Sequence, residues 1–355
     1  MGNRLWEGEP KMITVCHLID DLSPGGVTEY LQFLQDHPGM TELAHHKVIP
    51  VSRFHPARAQ IEGDVIVSHL GICWRGMPGL VALRAQHPKT PLVHVEHSYC
   101  EGFAALNVPH QRRFNTLLRC AYALFDRVVA VSAAQAAWLR RIRVVRAELL
   151  TVISPSVLLS AIEDLAAPQE PVRRIGALGR LHPQKGFDLL IQAFRRVQVE
   201  GARLMIFGAG SEELALREAA MGDQRIRFCG HVPKILALQS CDAVAMPSRW
   251  EPYGLVAQEA RMAGRMVLSS GRDGLGDQAG SGVINVRDYT VDAWAHALER
   301  LMTLPSANTA DLAFARPTLE TDSQRCLQGW RLLLADLCPP KSPQPVQAEG
   351  AIVGG

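Results

Sequence analysis

Long apolar runs are missing. Nothing in the 355 residues reaches the roughly 18 apolar residues that a membrane-crossing helix needs. Charge of one sign is scarce: 37 Lys and Arg stand against 35 Asp and Glu, a net charge of +2. That is too little for bulk electrostatic binding of nucleic acid, so no nucleic-acid partner is expected. The eight cysteines form no C-x-x-C pair. This argues against a zinc site and a disulfide framework, and for reduced thiols in the cytoplasm. No G-x-G-x-x-G follows the first predicted strand, and no G-x-x-x-x-G-K-[ST] P-loop is present, which argues against a dinucleotide oxidoreductase. Residues 1–11 carry no apolar signal core and read as an extension outside the fold. Met1-Gly2 resembles a myristoylation start, but Trp6 stands where Ser or Thr is needed. The thirteen histidines are dispersed, and the adjacent pair His45-His46 reads as a surface turn. With 47% hydrophobic and 20% charged residues, the chain has the material for real cores, and its length suggests two domains.

Short apolar runs alternate with helical patterns. Strands are predicted at Ile13–Leu18, Val48–Val51, Val65–Ser68, Leu92–Glu96, Asp126–Val131 and Val152-Ile153, with helices from Thr28 and from a Ser132 cap. The composition changes at Ala166–Pro171, a linker-like stretch, and a second series begins. Its strands are Arg174–Leu178, Arg203–Phe207, Ile226–Cys229, Ala243–Met246 and Met266–Ser269. Its helices are Phe187–Glu200, one from Glu212, and Leu255–Ala263. Such alternation predicts α/β domains with parallel sheets covered on both faces. The expected division is 12–168, 169–322, a closing helix at 323–337 and a disordered, proline-bearing tail at 338–355.

In a parallel α/β sheet, ligands collect at the carboxyl ends of the strands. Gly25-Gly26 follows the first strand and either admits a ligand to the backbone or makes a tight turn. Gly179–Gly186 follows the strand Arg174–Leu178 and carries Arg180 and Lys185, a pair suited to a diphosphate. Gly208 follows Arg203–Phe207, and Val232 follows Ile226–Cys229, where exposed backbone can read a base edge. The richest segment is Pro247–Ala260. Glu251 sits in its loop, Tyr253 follows, Gly254, Leu255 and Val256 open a helix with free N–H groups, and Glu259 lies on that helix. His97 follows the strand Leu92–Glu96 and can meet a sugar hydroxyl or be satisfied within its loop.

Together these segments resemble the retaining, GT-B-fold glycosyltransferases with an E-x7-E motif. The matching pieces, in order, are Gly179–Phe194, Leu204–Gly210, Phe228–Val232 and Pro247–Ala260. The resemblance implies two Rossmann-like domains facing a cleft, a nucleotide-sugar donor held mostly by the second, and no cofactor or metal. It implies Arg180 and Lys185 on the diphosphate, Glu251 and His97 on the transferred sugar, and Glu259 on the ribose. Gly25, Gly26, Gly179, Gly208, Tyr253, Gly254, Leu255 and Val256 would line the donor, and Val232 would lie at the base. The first-domain acceptor is expected to be a glycan or a lipid-linked acceptor, as in polysaccharide or glycoconjugate synthesis.

The sequence departs from the family pattern at Ile153–Val157, where an Asn-Gly turn is usual. It departs again at Gly271–Gly282, which carries Asp273 and Asp277 where a glutamate is usual. A non-catalytic scaffold of the same fold, or another nucleotide-sugar enzyme such as an epimerase, is the alternative. Arg140, Arg141, Arg143 and Arg146 form a basic stretch that either touches anionic membrane on its cytoplasmic face or ends a solvated helix.

Overall fold

The computed structural model describes residues 12–158, 162, 165–169, 171–280, 282–303 and 317–339. The expected N-terminal extension, and the tail beyond residue 339, lie outside them. Two six-stranded sheets are present, and every strand pairing within them is parallel.

The first sheet has β1 (Thr14–Ile19), β2 (His45–Pro50), β3 (Val65–Ser68), β4 (Leu92–Glu96), β5 (Arg127–Ala130) and β6 (Leu150–Val152), in spatial order β2-β1-β3-β4-β5-β6. Around it lie α1 (Gly26–Asp36), α2 (Pro38–Leu43), α3 (Met77–Gln86), α4 (Glu101–Asn107), α5 (Gln111–Tyr122) and α6 (Ala133–Arg141). Ser132 caps α6, accepting the Gln135 N–H at 3.1 Å, as its position before the apolar stripe predicts. The central strands are apolar on both faces because helices cover both. One face packs on Leu80, Leu118, Tyr122 and Trp138, and the other on Tyr30, Leu34 and Trp330.

The second sheet has β7 (Arg174–Leu178), β8 (Arg203–Phe207), β9 (Ile226–Gly230), β10 (Ala243–Met246), β11 (Met266–Ser269) and β12 (Val283–Asn285), in order β12-β11-β10-β7-β8-β9. Its helices are α7 (Phe187–Arg196), α8 (Glu213–Ala220), α9 (Lys234–Gln239), α10 (Leu255–Met262) and α11 (Val291–Thr303). Read from β9, the order is the doubly wound 3-2-1-4-5-6, with its topological switch between β7 and β10. The first sheet switches between β1 and β3. Each switch point lies at the carboxyl ends of its own sheet's strands, which is where this architecture places a ligand.

Several sequence expectations need correction. His45-His46 is not a surface turn. It opens β2, where register with Thr14 and Val15 of β1 buries the His46 side chain. The helix from Phe187 stops at Arg196, because Val197 turns extended and is fully buried in the core. The closing helix, α12, spans Pro317–Leu337 and so begins before Ser323; its polar first turns carry no apolar period to announce them. Its Cys326, Trp330 and Leu334 pack in the first-domain core beside Tyr30 and Leu34. Ile162 already packs in the second-domain core, upstream of the Ala166–Pro171 change in composition.

Candidate functional site

The β7 loop and the β10 loop meet at the second domain's switch point. Gly186 is left-handed (φ 67°), and a Cβ there would lie 2.2 Å from the Pro247 carbonyl oxygen, so glycine is required where the two loops touch. Between them, Lys185 Nζ donates to Glu251 Oε2 at 2.5 Å, with both side chains largely buried. Ser248 Oγ donates to the same carboxylate oxygen at 3.2 Å. Gly254 sits at φ 93° as the N-cap of α10, and no side chain caps that helix. A Cβ at Gly254 would meet Glu251 Cγ at 3.0 Å, so the carboxylate arm packs against the helix start. A fixed cation, a carboxylate and an uncapped helix N-terminus therefore share one corner.

Gly179 and Gly208 bring two strand ends together: a Cβ at Gly208 would lie 2.0 Å from the Gly179 carbonyl oxygen. Arg180, beside them, is exposed. The Ser23 hydrogen bonds hold the Asp21 carboxyl below its usual range, with smaller help from the charges of Arg180 and Arg53. Gly26 faces the start of α10 directly, since a Cβ there would meet Leu255 Cδ1 at 3.2 Å. Gly25 has extended backbone and open space beside it, so nothing within the protein demands a glycine there. Tyr253 is placed differently from the expectation of a donor contact: its ring is buried in the first-domain core cluster beside Leu255. Val232 packs partly against the second-domain core, which leaves its backbone at the end of β9.

Glu259 is the most buried acidic group at the site. Its Oε1 accepts from Lys234 Nζ at 2.5 Å, and the same ammonium donates to Glu29 Oε2 of α1 at 2.5 Å. Glu259 Oε2 is buried and has no partner. Burial pushes this carboxyl up to about 7, against the pull of Lys234. Burial alone would lower the Lys234 ammonium, but Glu259 and Glu29 outweigh it and raise it. A cavity of about 200 Å³ opens here, lined by Glu29, Gln32, Val157, Lys234, Ile235 and Glu259. A larger open hollow of about 450 Å³ near Gln198 and Glu299 precedes β8. It therefore lies at the amino ends of the strands, away from the switch points.

His97 stands at the end of β4, half-buried, with its ring in a T-shaped contact with Tyr30 of α1. Burial lowers its pKa to about 4, with Glu96 opposing and His94 assisting, so the ring is neutral at pH 7. The 3-10 turn Asp273–Gln278 ties the domains together. Asp273 accepts from Gly102 N at 3.0 Å and from Cys100 Sγ at 3.2 Å, and Asp277 accepts from Ala134 N at 3.0 Å. Arg140, Arg141, Arg143 and Arg146 are all exposed, and Arg141 pairs with Glu101 at 2.5 Å.

The fold therefore gathers Lys185, Glu251, Gly254, Leu255, Gly26 and Arg180 around one cleft, with Glu259 one helical turn on. Lys234, Glu29 and Asp273 also belong to this region. No motif announces Lys234. Its signal is positional, as the first helical residue after the strand that ends near Val232.

Residues 172–303 match the family model described as Glycosyl transferases group 1, and residues 39–160 match that described as Glycosyltransferase Family 4. A glycogen synthase from Mycobacterium tuberculosis is 34% identical over 157 residues, covering 41% of this chain and 37% of the relative. A D-inositol 3-phosphate glycosyltransferase from Nocardia farcinica is 28% identical over 249 residues, covering 60% and 54%. The chain thus spans about a third to a half of the length of these relatives. Among solved structures, Anabaena HepE in complex with UDP and glucose superposes with a TM-score of 0.68 at 17% identity, covering 91% of this chain and 98% of that one. A sucrose-phosphate synthase from Thermosynechococcus elongatus superposes with a TM-score of 0.66 at 19% identity, covering 92% and 98%. No helix among the described residues is long and apolar enough to cross a membrane. The chain has the two-domain GT-B fold of glycosyltransferases, and each of its halves carries a segment that a glycosyltransferase family model describes.

Proposed function

We infer that the protein is a retaining glycosyltransferase that moves a sugar from a nucleotide-diphosphate sugar to a hydroxyl of a glycan or lipid-linked acceptor, without a metal. The observation that carries this reading is the corner where Lys185, Glu251 and the uncapped start of α10 converge beside Arg180. The donor diphosphate lies against the free N–H groups of Leu255 and Val256, with Lys185 and Arg180 supplying the charge a metal would otherwise bring. Glu259 takes the ribose hydroxyls with the oxygen that has no protein partner. Glu251 and His97 face the sugar from the two domains. As the glycosidic bond breaks, negative charge grows on the diphosphate, and the two cations stabilise it more than they stabilise the ground state. The acceptor hydroxyl attacks from the same face and gives its proton to a phosphate oxygen.

UDP is the first donor base to test, because HepE was solved with UDP bound. Thermal unfolding is followed with UDP, GDP, ADP and dTDP. A nucleotide at 100 times its Kd adds about 2.7 kcal/mol to the folded state. The reading expects one nucleotide to raise the Tm, with the rise lost in Arg180→Ala and Glu259→Ala, and sugar transfer that survives EDTA. If no nucleotide shifts a cooperative melt, the scaffold alternative holds. The exposed Arg140, Arg141, Arg143 and Arg146 belong to the same reading as a contact for anionic lipid. Flotation with acidic and neutral vesicles tests it, and absence of binding to both removes it.

A further inference from the structure

Four histidines far apart in sequence are brought into one line by the order of the first sheet. β2, β1, β3 and β4 are consecutive neighbours. His46 lies in β2, His17 in β1, His69 directly after β3 and His97 directly after β4. Successive ring centroids are 5.2, 5.2 and 5.1 Å apart, close to the spacing of about 4.8 Å between paired strands. The ring nitrogens are joined throughout. His46 Nδ1 meets His17 Nε2 at 2.9 Å, His17 Nδ1 meets His69 Nε2 at 2.9 Å, and His69 Nδ1 meets His97 Nε2 at 2.8 Å. Each contact runs from the Nδ1 of one ring to the Nε2 of the next, so the line has a direction. Trp330 of the closing helix makes T-shaped contacts with His17 and His46 and donates its own N–H to Tyr30.

A neutral imidazole has one N–H and one lone pair. Four neutral rings can satisfy three such bonds in only two ways: every ring protonated on Nδ1, or every ring protonated on Nε2. Burial lowers all four pKa values, so neutrality holds at pH 7. No carboxylate among the described residues hydrogen-bonds to these rings; Glu96, the nearest acid in sequence, is taken up by His94, Tyr122 and two backbone N–H groups. The two arrangements differ at the ends. His46 Nε2 is buried without a partner. The all-Nε2 arrangement strands an N–H donor there, whereas the all-Nδ1 arrangement leaves only a lone pair, and orphaned buried N–H groups are the rarer of the two.

We propose that His46, His17 and His69 are positioning residues that hold His97 as its neutral Nδ1–H tautomer, so that the ring offers the cleft a fixed N–H donor. Its partner is then an oxygen lone pair, such as a sugar hydroxyl. The ring also has no free lone pair with which to take a proton from the acceptor hydroxyl. Only the identity of that partner rests on the glycosyltransferase reading; the tautomer itself does not.

The test is long-range ¹H–¹⁵N correlation of the imidazole rings in the full chain, ¹⁵N-labelled at histidine, at pH 7 without ligand, with His97 assigned by the loss of its signals in His97→Asn. The wild type is expected to show a protonated Nδ1 and an unprotonated Nε2 at His97. His17→Phe and His69→Phe are expected to return His97 toward the Nε2–H form that free histidine prefers. An unprotonated Nδ1 at His97 in the wild type overturns the proposal, and that measurement needs no variant to fold. So does an unchanged His97 tautomer in both folded variants. In transfer assays, His69→Phe should lower kcat roughly tenfold or more while donor KM stays within about twofold. His69→Gln, which keeps an N–H toward His97 Nε2, should recover part of the loss. A protein that turns over no nucleotide sugar but keeps the tautomer refutes the function and supports the chain; turnover with the opposite tautomer does the reverse.

Discussion

Lys234→Met isolates the charge balance at the Glu259 end of the cleft. The substitution keeps an unbranched side chain but removes the ammonium that neutralises Glu259 and Glu29. The Glu29 carboxylate is about a third exposed, and water screens its loss. Glu259 is 1% exposed, and its Oε2 has no partner. Its folded pKa lies above the unfolded value, near 7 against 4.5. The stability it contributes is therefore complete below 4.5 and is lost as pH rises through 7. Removing Lys234 raises that pKa further, so at pH 8 the chain must either bury Glu259 as a carboxylate without a counter-charge or take up a proton in order to fold. Breaking a buried pair in this way costs about 3–5 kcal/mol, or about 10 °C in Tm for a domain of this size. At pH 5 the carboxyl is neutral, and the loss falls to that of one hydrogen bond, about 1 kcal/mol. Thermal unfolding at pH 5 and pH 8 measures the difference. The double variant Lys234→Met with Glu259→Gln should recover most of the loss at pH 8. Equal losses at the two pH values, or a loss under about 3 °C at pH 8, would refute the reasoning.

Three further outcomes follow from packing and charge. Lys185→Ala and Arg180→Ala should each slow single-turnover sugar transfer roughly a hundredfold, about 3 kcal/mol of transition-state stabilisation. Gly208→Ala should destabilise the second domain by at least about 1–3 kcal/mol in urea unfolding, because its Cβ meets the Gly179 carbonyl at 2.0 Å and its φ is +130°. Trp330→Ala should cost about 3–5 kcal/mol in the first domain, since the fully buried indole spans Tyr30, His17 and His46.

Eleven of the twelve described strands were legible as short apolar runs bounded by turn residues, and this survives any uncertainty about their ends; the three-residue β12 (Val283–Asn285) was not. Leu92–Glu96 and Arg174–Leu178 match residue for residue. The helices α2, α3, α4, α5, α9 and α11 were not read, although Leu117, Leu118, Ala121 and Tyr122 in α5 recur at helical spacing. The corner at Lys185 and Glu251 was legible because its parts lie in two short segments with local chemistry. The histidine line was not. Its members are separated by 23 to 29 positions, and only the strand order β2-β1-β3-β4 makes them neighbours. Local pattern carries no information about such order, and it made His45-His46 look like a polar turn. Lys234 escaped for the same reason, since its partners come from α10 and from the other domain. Asp273 and Asp277 stood out as departures from a family pattern, but their partners on α4 and α6 required the fold.

Those two aspartates also say how the molecule can breathe. Each one caps a helix of the opposite domain, and a backbone N–H that loses a carboxylate at a solvent-accessible seam finds water at once. Such exchanges cost about 0.5–1.5 kcal/mol per hydrogen bond, far less than disturbing either apolar core. This part of the seam is thus built from contacts that can be traded for water, while Tyr253 and Leu255 pack on the first-domain core and the helix Pro317–Leu337 stays rooted there through Trp330 and Leu334. Under the glycosyltransferase reading, a substrate as large as a nucleotide sugar can enter by releasing these aspartate contacts first, with no need to melt a strand.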